Sequence, residues 1–222
     1  MQIGGVQKFS MLDYPGQISA VVFCQGCSLR CPYCHNKEFQ EFKNGNVAEE
    51  DFLDFLRRRQ GALDAIVFSG GEPILQHDIR EKIIITKKMG YLIGLHTSGI
   101  DHKALQSVID LVDWVGFDFK TIFEKYHLVA KNEDAGGMVF ESLGLLINNG
   151  INFEVRTTYD NDIVTEEDLP VMANVLKKNG INKWFLQRCI LRYENKDEVV
   201  IPLPDRIVID ELSEIVEVEL RI

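Results

Sequence analysis

Four of the chain's five cysteines, Cys24, Cys27, Cys31 and Cys34, fall within eleven residues; the fifth is Cys189. Thiols packed this densely hold metal or exchange electrons. From Cys27 to Cys34 the spacing is C-x3-C-x2-C, on a short loop containing Pro32 that can wrap three sulfurs around one corner of an iron–sulfur cubane. Full ligation of a cubane takes four thiolates. Three leave one iron open, and an open metal position lets a metal bind substrate rather than serve as structure alone. Other readings stand beside this one. Two C-x2-C pairs suggest zinc, but only three residues separate them, where zinc ribbons have about 15–20. Cys24 as a fourth ligand would close the cluster and make an electron carrier. Cys24 alone, at the end of an apolar strand, also reads as an inert buried thiol. The odd count, with no export signal, argues against a disulfide framework.

The residues that could work with such a loop lie at the ends of apolar runs. Residues 18–23 read as a first strand, introduced by the turn signal Asp13-Tyr14-Pro15-Gly16. The second strand, 65–68, runs into Ser69-Gly70-Gly71-Glu72-Pro73. Paired glycines let backbone approach a ligand closely, and Glu72 adds an acceptor. The third, 91–95, ends at His96-Thr97-Ser98-Gly99; the fourth, 114–119, ends at Asp118-Phe119-Lys120. Alternation puts Asp118 and Lys120 on one side, where burial demands pairing or a ligand. The fifth strand, 152–158, carries Arg156, either a partner for a ligand carboxylate or half of a structural ion pair. Gln187, in the sixth (183–187), is a weaker candidate. His35 looks like a fourth ligand but is expected to matter through its backbone.

Helices are expected between these strands: at 48–59, from GGEP to about Met89, at 101–109, before the C-cap signal Asn149-Gly150, and from a capping box at Thr165 to Gly180. A short helix and a terminal strand are expected in 206–222. Alternating strands and helices imply parallel pairing with right-handed crossovers. Six such units form a barrel, a partial barrel or an open doubly wound sheet. In each, ligands gather at the C-terminal strand ends, so motifs spread along the chain converge on one mouth. The 222 residues are expected to form a single domain, with residues 1–17 as an N-terminal extension and 190–222 as a tail.

Composition narrows the partners. Lys and Arg total 24 against 34 Asp and Glu, a net charge of −10. Neither nucleic acid nor a membrane surface is expected as a partner, because phosphates want Lys and Arg. Arg57-Arg58-Arg59 is expected to be the solvated face of a helix. No apolar run approaches the roughly 18 residues of a membrane span, and the N-terminus lacks a secretory pattern, so the cytoplasm is the expected location.

Residues 24–36, CQGCSLRCPYCHN, strongly resemble the cluster loop of the radical S-adenosylmethionine (radical SAM) enzymes. The surrounding DYPG, GGEPILQ, DFKTIFEKY and EVRTTYDNDIVTEEDL segments are similar to the anaerobic ribonucleoside-triphosphate reductase activating proteins, relatives of pyruvate formate-lyase activase. The resemblance covers nearly the whole chain. It implies an α/β fold, a partial (βα)6 TIM-like barrel with the cluster loop after the first strand. It implies a [4Fe–4S] cluster on Cys27, Cys31 and Cys34, with S-adenosylmethionine on the open iron, reductively cleaved to methionine and a 5′-deoxyadenosyl radical. No side chain need act as acid or base. The cosubstrate contacts implied are Tyr33 and His35 at the adenine, Gly70, Gly71 and Glu72 at the methionyl amino group, and Thr97, Ser98, Asp118 and Lys120 along the rest. Arg156 joins them as a possible carboxylate partner. His96 stands where related activases carry Asp, which puts their monovalent-cation site in doubt here. The implied partners are a glycyl-radical enzyme, anaerobic ribonucleotide reductase foremost, and a one-electron reductant such as flavodoxin or ferredoxin. A small-molecule radical enzyme, for example in deazapurine synthesis, and an electron-transfer protein are the alternatives. The DYPG turn is expected at the rim, with Asp13 touching the partner's loop.

Overall fold

The computed structural model describes residues 1–130, 132–192 and 197–221. In chain order the regular elements are β1 (Ile3–Ser10), β2 (Ser19–Cys24), α1 (Glu49–Arg59), β3 (Ala65–Gly70), α2 (Ile79–Lys88), β4 (Leu92–Thr97) and α3 (His102–Gln106). There follow β5 (Trp114–Asp118), α4 (Ala135–Asn149), β6 (Phe153–Tyr159), α5 (Asp168–Lys178) and β7 (Lys183–Arg188). The hairpin β8 (Ile190–Arg192) with β9 (Glu198–Val200), then α6 (Arg206–Ile215) and β10 (Glu217–Arg221), complete the chain. Strands β2 to β7 lie side by side in sequence order and pair in parallel. That is the partial TIM-like barrel: six βα units whose helices cover one face.

Two segments outside the six units also belong to the sheet. β1, within the expected extension, pairs antiparallel with β2. β10, within the expected tail, extends the far edge parallel to β7. Residues 193–196 of that tail and Ile222 lie outside the described residues.

The strands alternate between two apolar environments. Val22, Phe68, Leu95, Phe117 and Val155 pack outward against the helices in the main core. Between them, Val21, Val67 and Trp114 point into the barrel and meet the ring of Tyr14. Pairing register aligns Val21, Val67, Gly94 and Trp114 in one row across four strands. Gly94 leaves the space the Tyr14 ring takes; a Cβ there would sit 3.0 Å from Tyr14 Cδ2.

This packing corrects the expectation for the DYPG turn. Ser10 pairs with Ser19, at the start of β2. The turn therefore leaves the sheet at the end opposite the cysteines and folds back inside. It forms the floor of the barrel, not its rim. Asp13 uses its carboxylate on the Ser10 hydroxyl, 2.5 Å away.

The helices follow the periodicity with local departures. Gly150, at φ 63°, caps α4 as expected. After GGEP the chain makes a short 3-10 turn, Pro73–Leu75, and α2 begins only at Ile79. The delay has a tertiary cause: the Gln76 side chain accepts from Gln2 N and donates to Gln25 O. Arg57 and Arg58 are exposed on α1, and Arg57 pairs with Asp54, as a solvated face should; Arg59 departs from that expectation, half-buried with its Nε unpartnered. Among the described residues no helix is long and apolar enough to cross a membrane.

Candidate active site

The C-terminal ends of β2 to β6 surround one cleft, which encloses about 840 Å³ of space partly open to solvent. Cys27, Cys31 and Cys34 line it from the loop after β2. Cys24 is not on that wall; it is fully buried at the end of β2, its sulfur 3.8 Å from that of Met1. Every other candidate expected at the mouth lines the same cleft: Tyr33 and His35, Gly70 to Glu72, Thr97 and Ser98, and Asp118, Lys120 and Arg156. Gln187 does not.

The cysteine loop is fastened by backbone. Gly26 N and Cys27 N donate to Phe39 O and Gln40 O, which pins its two ends together. Arg30 N donates to Val129 O, and the Arg30 guanidinium donates to the carbonyls of Cys27 and Leu29. The exposed His35 donates from Nε2 to Ile190 O at 2.7 Å, joining the loop to the hairpin after β7. Its side chain therefore fastens the loop.

Gly70 and Gly71 serve this loop directly. Gly71 N donates to Cys24 O and Glu72 N to Gly26 O. A Cβ on Gly71 would collide with the carbonyl oxygens of Gly26 and Phe39, and one on Gly70 with Cys24 N. The close approach that the glycines permit is to the chain's own cysteine loop.

Glu72 is 2% exposed and bonded on both oxygens. Oε1 accepts from Thr97 Oγ1 at 2.6 Å; Oε2 accepts from Ser98 N at 2.9 Å and Ser98 Oγ at 2.5 Å. Burial raises its pKa, opposed by those bonds. A carboxylate offers about four lone-pair positions. Three are filled here, leaving one on Oε1.

Asp118 and Arg156 are register partners on β5 and β6, with 3.2 Å between Oδ1 and Nη2. Lys120 Nζ lies 3.4 Å from Asp118 Oδ2 and 6.0 Å from the centroid of the Tyr33 ring. Burial pushes Asp118 up, but Lys120 and then Arg156 outweigh it and hold the carboxyl below its usual range. Burial likewise pulls Lys120 down, and Asp118 and Cys31 more than reverse it. Arg156 also donates to Gly116 O at 3.1 Å. A Cβ on Gly116 would collide with that guanidinium. Gly116 was not singled out from sequence, although a glycine inside a five-residue strand is a signal of close approach. His96, beside Trp114 and Arg156, has its pKa pushed down to about 3, first by burial and then by Arg156. A neutral imidazole turned to the floor is no substitute for the acidic cation ligand.

Burial raises the thiol pKa of Cys31 and pushes Cys27 up to about 12, while Lys120 pulls both the other way. Among the described residues no three His, Cys, Asp or Glu side chains converge on a point where a single ion could sit. A cubane asks for a different arrangement. Each thiolate takes its own iron, so sulfurs stand apart around a cluster-sized space. Three cysteines spread over one wall of a cleft fit that demand. The phenol oxygen of Tyr33, in the same loop, is buried without a protein partner.

Comparison with known proteins places the chain in a family. Residues 21–176 match the Radical SAM superfamily. A Methanocaldococcus jannaschii protein named as a glycyl-radical enzyme activating enzyme is 36% identical over 185 residues, 79% of this chain and 75% of that one. The pyruvate formate-lyase-activating enzyme of Clostridium pasteurianum is 27% identical over 183 residues, 79% of this chain and 76% of that one. Among solved structures, Streptococcus suis SuiB bound to S-adenosylmethionine superposes with a TM-score of 0.65 at 14% identity. That match covers 87% of this chain and 45% of SuiB, so this chain spans less than half of that protein's length.

Proposed function

This chain belongs to the radical SAM superfamily, and from that premise we propose that it installs a glycyl radical on anaerobic ribonucleoside-triphosphate reductase. The observation that carries the reading is the convergence of Cys27, Cys31 and Cys34 with the polar ends of β3 to β6 on one cleft. The superfamily's [4Fe–4S] cluster and S-adenosylmethionine together supply one-electron cleavage of a carbon–sulfur bond, giving methionine and a 5′-deoxyadenosyl radical.

The chain's own residues bind, orient and shield. Cys27, Cys31 and Cys34 would hold the cluster, three thiolates for its four irons. Glu72 offers its remaining Oε1 position to the methionyl ammonium, while Thr97 and Ser98 lock the carboxylate in place. Gly70 and Gly71 keep that carboxylate close against the cysteine loop. Tyr33 and the His35 backbone flank the adenine. Lys120 and Arg156 present cations to the cosubstrate carboxylate and ribose, Arg156 braced by Asp118 at 3.2 Å and Lys120 more loosely at 3.4 Å. Tyr14 and Trp114 keep water from the site from below. The hydrogen donor is a glycine in a loop of the partner, which enters at the open mouth, and the electron comes from a flavodoxin or ferredoxin.

The test is anaerobic mixing of cluster-loaded protein with S-adenosylmethionine, a strong reductant and the reductase. A glycyl radical detected on the reductase by electron paramagnetic resonance, and absent when Cys27, Cys31 or Cys34 is replaced by Ala, is the expected result. Cosubstrate cleavage without that radical transfers the assignment to another glycyl-radical enzyme or to a small-molecule substrate. No cleavage by fully loaded protein overturns it.

A further inference from the structure

We infer that Lys120 sets the reduction potential of the cluster through its fixed charge, independently of any contact with the cosubstrate; this rests on Cys27, Cys31 and Cys34 being the cluster ligands. The charged groups lining the cleft are few: Glu72 and Asp118 are anionic, Lys120 and Arg156 cationic. Arg156 is the more firmly held of the two cations. Asp118 stands 3.2 Å and Glu154 3.9 Å from its guanidinium, which also donates to the Gly116 carbonyl. Lys120 is held loosely. Its ammonium lies 3.4 Å from Asp118, longer than the roughly 2.7–2.9 Å of a firm charge-assisted bond. It projects over the ring of Tyr33, the residue next to Cys34 in the cysteine loop. Lys120 is thus the cation above the cysteine loop, and its side chain is only 13% exposed.

Charge counting gives that position its consequence. Three thiolates on a dicationic cubane leave one net negative charge, and reduction makes it two. The added charge enters a cleft that already holds Glu72 and Asp118, in a chain of net charge −10. A buried cation close to the thiolates favours the more negative, reduced state, and burial protects that attraction from screening by salt. Arg30 also touches the loop, but it is exposed to solvent and screened. Lys120 therefore raises the potential toward what a biological one-electron donor can reach.

The experiment is an anaerobic potentiometric titration of cluster-loaded protein without S-adenosylmethionine, following the paramagnetic signal of the reduced cluster. In Lys120→Met the ratio of reduced to oxidised cluster at a given poise falls at least tenfold, a drop of about 59 mV for one electron. Lys120→Gln, which stays polar, falls with it and replaces it if Lys120→Met does not load. Lys120→Arg, which keeps the charge, stays near the wild-type value. A wild-type potential in either neutral variant overturns the inference. So does an equal fall in Lys120→Arg, because the effect would then follow shape and not charge. Failure of the ligand assignment reads differently: iron and sulfide would be retained in Cys27→Ala, Cys31→Ala or Cys34→Ala, whatever Lys120 does.

Discussion

His96 Nε2 lies 2.9 Å from the carbonyl oxygen of Asp13, 83 residues earlier in the chain. A carbonyl can only accept, so Nε2 carries the hydrogen. Arg156 Nη1, 3.5 Å from the same nitrogen, then meets a donor and gains no hydrogen bond there. The contact ties a ring on the cleft wall to the turn that floors the barrel. Protonating the ring would add a charge beside Arg156 with no carboxylate in the floor bonded to it.

Acid stability should report this. The His96 pKa falls from 6.5 unfolded to about 3 folded, so between those values the unfolded chain binds the extra proton. Stability from this site is complete above pH 6.5 and lost as pH falls toward 3. At 1.36 kcal/mol per unit, going from about pH 7.5 to about pH 5 costs at most about 2 kcal/mol. Urea unfolding of wild type and His96→Gln across that range should show a shallower slope in the variant. Parallel slopes would remove His96 as the cause.

Cys27→Ala, Cys31→Ala and Cys34→Ala should each abolish the oxygen-sensitive brown cluster. Cys24→Ala should leave it largely intact, because that thiol is buried away from the cleft. Iron and sulfide analysis of anaerobically reconstituted proteins decides it, and iron loss in Cys24→Ala equal to the others contradicts three-cysteine ligation.

Glu72→Ala should retain the cluster and weaken S-adenosylmethionine binding about ten- to a hundredfold, from the roughly 1.5–3 kcal/mol of a charge-assisted hydrogen bond. It should also lower thermal stability, because the buried amide of Ser98 loses its acceptor. Equilibrium binding and calorimetry separate the two effects. A destabilised protein with unchanged affinity would assign Glu72 to structure alone.

Gly71→Ala should cost about 1–3 kcal/mol, the usual range for forcing atoms into packed space, and lower iron content, since the new methyl collides with backbone at both ends of the cysteine loop. Gly61→Ala is the comparison: its φ of +75° strains an alanine, but a Cβ there meets nothing within 4 Å. Chemical denaturation with iron analysis should show cluster loss in the first variant only.

The order of strands and the mouth they share were legible because apolar β-branched runs, turn glycines and C-cap glycines are local signals. So was the placement of Asp118 and Lys120 on one side, which strand alternation requires, while their pairing at 3.4 Å was one of two alternatives the sequence left open. What stayed hidden depends on distant chain. β1 reads poorly as IGGVQKFS, yet Gly4 is needed where the Phe39 ring crosses it. The floor made by Tyr14 exists only once the row from Val21 to Trp114 has curled round it. The late start of α2 follows from bonds that Gln76 makes to Gln2 and Gln25. The occupancy of Glu72 by Thr97 and Ser98 needs β3 and β4 in register, which no motif announces.

The fastenings of the cysteine loop also bear on when it can receive metal during synthesis. The loop leaves the ribosome early, but the carbonyls that anchor it at Val129 and Ile190 come much later. His35 precedes Ile190 by 155 residues, which at about 5–20 residues per second is a wait of roughly 8–30 s. During that interval the thiols are displayed on a nascent chain before the hairpin that fastens their loop exists, although the cleft's lining residues, as far as Thr158, have already been made. A cluster received before then meets a loop that lacks its His35 fastening, and oxidants or adventitious zinc have their best opportunity in that interval.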